Sequence, residues 1–122
     1  MPTYSVPQAQ WREALDAFSL SHFAWPVSVE VVSPDMGVQP EVVELPLGGI
    51  SVDDTGGHPA VAISMSREAP EHVTHLVQDV AAIRFQREGN VDQAIEIQTL
   101  DGTRTILRFA PPVNRVVSTT VH

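Results

Sequence analysis

The residues best equipped for chemistry in this 122-residue chain are its histidines. In Glu-His-Val-Thr-His-Leu-Val-Gln-Asp, residues 71–79, His72 and His75 stand three apart between the carboxylates Glu71 and Asp79. His58 follows an acidic, glycine-rich stretch at 53–57. Imidazole nitrogens and carboxylate oxygens hold zinc and other divalent ions. A site made from His58, His72 and His75 with Asp53 or Asp54 requires the chain at Glu71 and His72 to fold toward the loop at 58. If residues 72–77 form a strand instead, successive side chains alternate faces, and two histidines an odd number apart cannot share an ion. His75 then joins Val73 and Val77 on the apolar face, as a core histidine hydrogen-bonded to a backbone or carboxylate partner, and His72 joins Thr74 on the other. The strand is the expectation, because the spacing has neither the helical context of His-Glu-x-x-His nor the ligand count of a zinc finger. Metal binding through His58, His72 and His75 stands as the alternative, and no other cofactor is expected.

Other catalytic and ligand-binding patterns are missing. The chain has no cysteine, hence no disulfide framework, thiolate zinc site or cysteine nucleophile. The pairs Gly48-Gly49 and Gly56-Gly57 are not followed by lysine and open no helix of the phosphate-binding kind, so they read as turns. Asp53-Asp54-Thr55-Gly56-Gly57 lacks the alternating oxygens and terminal glutamate of a calcium loop. There is no Gly-x-Ser-x-Gly elbow. Carboxylate pairs such as Glu41 with Glu44 are ordinary on an acidic surface. The reading leans away from an enzyme.

The elements that must position these residues are one helix followed by strands. Trp11, Ala14, Leu15 and Phe18 fall on one face at helical spacing, with Arg12, Glu13 and Asp16 opposite. Ser5 with Gln8 suggests a capping box and Pro7 suits a first turn, so a helix is expected over about residues 6–20. From residue 26 to about 110 the pattern is β. Val27, Val29 and Val31 alternate with polar residues, and Pro34-Asp-Met-Gly37 is a turn. The next strand contains Pro40 and Pro46, which cannot donate to a ladder and place it at an edge or on bulges. A separate short strand is expected over Gly48–Asp54, and others over 60–65, 72–77 and 80–86.

The segment from Ala94 to Phe109 reads as a hairpin whose register can be derived. A two-residue turn at Asp101-Gly102 mixes charged and apolar residues on both faces. A three-residue loop, Leu100 to Gly102, pairs Thr99 with Thr103, Ile97 with Thr105 and Ile95 with Leu107, and puts every large apolar residue except Leu100 and Ile106 on one side. Gly102 is then expected in the left-handed conformation of a bulge.

Fifteen acidic residues against seven arginines give a formal charge of −8, which repels polyanions. Neither nucleic acid nor an anionic membrane surface is an expected partner. No stretch approaches the ~20 apolar residues of a membrane span, and the first residues do not read as a leader, so a cytoplasmic location is expected.

Taken in order and spacing, QWREALDAFSLSHFAWPVSVEVV, ELPLGGISVDD, HVTHLV and AIEIQTLDGTRTILRF resemble a family of short bacterial proteins, domain of unknown function 5335, over Trp11 to Phe109. The resemblance implies a bacterial origin and a self-contained domain, and it carries no catalytic residues. The fold expected is α+β and mainly β: one domain over 1–122, with an N-terminal helix packed on a bent antiparallel meander of seven to eight strands, closed or nearly closed into a small barrel. Three functions follow from it. The first is a non-catalytic binding or assembly module, forming a homo-oligomer through edge strands or the tail at 111–122. The second is the histidine metal site. The third is a small-molecule carrier with an apolar cavity inside the barrel.

Overall fold

A computed structural model describes residues 3–54, 57–66, 71–88 and 91–109, without the side chains of 91 and 92. Strand β1, Thr3–Ser5, precedes a short 3-10 turn at Gln8–Gln10 and helix α1, Trp11–Ser21. Seven strands follow: β2 Pro26–Ser33, β3 Gly37–Asp53, β4 Ala60–Ser66, β5 His72–Val77, β6 Val80–Glu88, β7 Val91–Thr99 and β8 Arg104–Phe109. They form one antiparallel sheet in the order β1-β6-β7-β8-β2-β3-β4-β5. No helix among the described residues is long and apolar enough to cross a membrane.

The sheet is open, which corrects the expected barrel. Among the described residues its end strands, β1 and β5, pair only with β6 and β4. The helix, rather than a closing strand pair, covers the intervening side of the core. Phe18 packs edge-on against Phe85 of β6 and Phe109 of β8, while the Ser19 hydroxyl takes the Ile50 N–H of β3 at 2.8 Å. The same hydroxyl donates to the Leu15 carbonyl at 2.7 Å, so one side chain ties the helix to a strand edge.

The helical face is as the spacing predicts, with Trp11, Leu15 and Phe18 buried, but its start differs. Ser5 is not a cap: it lies in β1, opposite Arg84, and neither the 3-10 turn nor the helix has a side-chain cap. Pairing to β6 takes the residue that the capping box needed. Instead, the indole N–H of Trp11 donates to the Val6 carbonyl at 2.8 Å and fixes the turn into the helix.

The two strands expected between residues 38 and 54 are one. Strand β3 runs 17 residues and changes partner midway, pairing with β2 up to Pro46 and with β4 from Leu47. The prolines are accommodated by irregularity, as expected: the β2–β3 ladder shifts register on either side of Val29, and Glu44 takes a positive φ of 49°. Glycine permits the second shift, since a Cβ on Gly48 would stand 3.1 Å from the Ser64 carbonyl oxygen.

The β7–β8 hairpin has the derived register. Ile95 lies opposite Leu107 and Ile97 opposite Thr105, and the Thr99 N–H donates to the Thr103 carbonyl at 2.9 Å. Gly102 has φ +92°. The buried apolar residues of helix and sheet form one cluster, with Leu15, Leu47, Ile63, Ile83, Ile97 and Leu107 among its fully enclosed members. Among the described residues, recesses with room for a ligand open at the surface, beside helix α1 and beside the end of β5.

Candidate functional site

Strand β5 decides the histidine question. His72 lies opposite Ser66 and is exposed; His75 lies opposite Ile63, on the same face as Val73 and the buried Val77. The two rings therefore project to opposite sides of the sheet. His58 comes near a different residue, with Nδ1 3.5 Å from Asp79 Oδ1 and both side chains exposed. Asp54, named with them, accepts from Arg12 at 3.0 Å instead. The fold thus does not bring His58, His72 and His75 together. Among the described residues no group of three or more His, Asp or Glu side chains is placed to hold an ion.

His75 is half-buried rather than enclosed. It lines an open groove of about 370 Å³ between the end of β5 and the β7–β8 turn, together with Asp79, Asp101 and Thr105. The turn is built by side chains: Asp101 accepts from the Thr99 hydroxyl and from the Thr103 N–H. These bonds, the Thr99 hydroxyl foremost, hold its exposed carboxyl below the usual range.

Among the described residues, β5 has β4 on one side and no strand on the other. An unpaired edge presents a row of N–H and C=O groups to any extended chain, and proteins usually blunt it with brevity, proline or charge. The other open edges are blunted: β1 has three residues, and the first half of β3 carries Pro40, Glu41, Glu44 and Pro46. Strand β5 is six residues, His-Val-Thr-His-Leu-Val, with neither proline nor aspartate, glutamate or arginine. On its outer face Leu76 is 55% exposed beside Thr74 and His72.

Two polar features escaped the sequence reading. Glu96 lies on the sheet face opposite the core cluster, yet its side chain is only 11% exposed; Arg84 meets it at 2.7 Å and Arg104 at 3.4 Å. Arg84 also donates to Gln98 at 2.9 Å. Cross-strand alternation places all four on one face, but single-sequence patterning gave no reason to expect that face to be covered. His22 is the second. It is buried, stacked on Phe18 at 3.9 Å and edge-on to Trp25 at 4.4 Å, with Nδ1 3.1 Å from the Phe18 carbonyl. Both features read as structure: the carboxylate is satisfied by guanidinium groups, and the imidazole sits in an aromatic cluster.

What the described residues define is a helix-backed open antiparallel β-sheet of eight strands. The chain belongs to the family of unknown function DUF5335, which matches residues 3–117. It is 33% identical over 113 residues to an uncharacterized protein of Aquifex aeolicus (strain VF5), covering 93% of this chain and 96% of that one. No solved structure matches.

Proposed function

We propose that the protein is a non-catalytic binding and assembly module that joins a second copy of itself through β5. The observation that carries this is the edge itself, six residues long and without a blunting residue. Charge favours a copy at this place. Two chains of net charge −8 repel each other over most of their surfaces, and an edge without aspartate or glutamate is where two such surfaces meet at least electrostatic cost. Antiparallel pairing about a two-fold axis at Thr74 sets His72 of one copy opposite Leu76 of the other, and the contact is self-complementary. The main chain supplies the bonds, as in other strand additions.

Light scattering over a concentration series tests the reading. The expected result is a dimer that dissociates on dilution, and a monomer at every concentration for Thr74→Glu, which sets like charges opposite each other across the axis. A wild-type protein that stays monomeric when concentrated, or a Thr74→Glu variant that dimerises equally well, refutes it.

A further inference from the structure

The cleft between β1, β6 and helix α1 has a different character from every other described recess in the surface. Its volume is about 370 Å³, toward the small end of small-molecule sites at roughly 300–1,000 Å³. Three aromatic rings build its apolar wall. Phe85 is stacked with Tyr4 at 5.9 Å and meets Phe18 edge-on at 5.7 Å. Across from them runs one flank of the helix, where Ala14 and Ala17 stand between Gln10 and Ser21 at the spacing of a single stripe. Two methyl side chains at the centre of that stripe keep the cleft wide.

Its charge is what sets it apart. The chain has fifteen acids and seven arginines, and carboxylates line the other described clefts: Asp79 and Asp101 beside β5, Asp16 and Asp54 beside the helix start, and Glu44 beside Arg108. Among the described residues no acidic side chain lines this one, and Arg87, which has a further partner of its own, is the charged group in its lining. The guanidinium lies 5.2 Å over the Tyr4 ring, at the rim, so the cation is oriented by an aromatic wall of the same cleft. A guanidinium has five donors in a planar fork and accepts further oxygen partners while engaged elsewhere.

From this pairing we infer that the cleft binds a small amphipathic carboxylate, with a flat apolar body against Phe18 and Phe85 and its carboxylate on Arg87. The apolar body supplies affinity by leaving water, and the charge-assisted bond fixes orientation and excludes neutral analogues. The site lies on β1 and β6, away from β5, and is independent of self-association.

Isothermal titration of the full chain with 2-naphthoate, followed by amide chemical shifts, tests the inference, with 2-naphthalenemethanol as the neutral probe. Expected are saturable binding of 2-naphthoate, shifts centred on Ala14, Ala17 and Phe85, and about tenfold weaker binding of the alcohol. Arg87→Gln should remove that preference, so that the two probes bind about equally. Ala17→Leu, at an exposed helix position, should fill the cleft and abolish binding of both probes. Absence of binding, shifts centred elsewhere, equal affinity for the two probes, or an unchanged preference in Arg87→Gln each overturns it. Circular dichroism of both variants separates loss of binding from loss of fold.

Discussion

Two halves of the sheet are built differently. Strands β6, β7 and β8 are covered on the inner face by the core, and on the outer face the guanidinium groups of Arg84 and Arg104 close over Glu96. Among the described residues strand β5 has one partner, β4, and an outer face of His72, Thr74 and Leu76. A central strand such as β7, with a neighbour on either side, serves as frame. An edge strand with half its groups unmatched contributes less to the fold and more to contacts. Self-association as proposed rests on β5 and stability on β7 and β8, so each can be perturbed without the other.

The largest test of that division is in the frame. Leu107→Ala removes a fully buried side chain from β8 and should cost about 2–5 kcal/mol in denaturant unfolding, whereas Leu76→Ala in β5 should stay within roughly 0.5 kcal/mol of the parent. Equal losses at the two positions would mean that β5 belongs to the frame after all. The polar side of the frame should follow at somewhat smaller size. Glu96→Ala leaves Arg84, itself about two thirds covered, without its carboxylate, and should cost about 1–3 kcal/mol. The comparable pair between Glu30 and Arg108 is more open to water, and Glu30→Ala should cost about 0.2–1 kcal/mol.

Next in size is the turn that joins two frame strands. At Gly102 the φ of +92° excludes comfortable occupation by a β-branched residue, so Gly102→Val should lose about 1–2 kcal/mol. The cause is the backbone, because a Cβ there would meet only Pro34 Cγ at 3.6 Å, an ordinary contact. Gly49 on β3, with open space around its Cβ position, makes the control, and Gly49→Ala should be close to neutral.

The hairpin shows how far sequence reading reaches here. Its register was legible because only one loop length segregates the apolar residues, and the same two-step rhythm placed His72 and His75 on opposite faces. Strand β3 was not legible in this way. Pro46 and Gly48-Gly49 look locally like a break, but long-range pairing to β4 continues the strand through them. Strand β1 is three residues, too short for any periodicity, and β6 rather than its own pattern makes it a strand. Closure of the barrel was overread for a related reason: alternation reports how many strands have a buried face, and says nothing of whether the first and last meet. The histidine constellation failed because ligand-type residues were grouped by type, and their grouping in space depends on the strand geometry that separates them.

The smallest expected effect concerns the groove where frame and edge meet. Asp101 is exposed, and its carboxyl is held below the usual range by the Thr99 hydroxyl and then by the Thr103 N–H. A carboxyl with a lower value in the folded chain stabilises the fold above its unfolded value, near 3.9, and loses that contribution as pH falls through the folded one. Asp101→Asn should therefore lower the melting temperature slightly at neutral pH, and the gap should shrink to nothing in acid, where the wild-type carboxyl is protonated and resembles the amide. A gap that widens in acid would show that the Asp101 carboxylate opposes the turn. Because Asp101 and His75 line the same groove, the measurement also separates the two regions: the turn should respond to acid through its carboxyl, while dimerisation through β5 in the Asp101→Asn variant should match the parent at neutral pH.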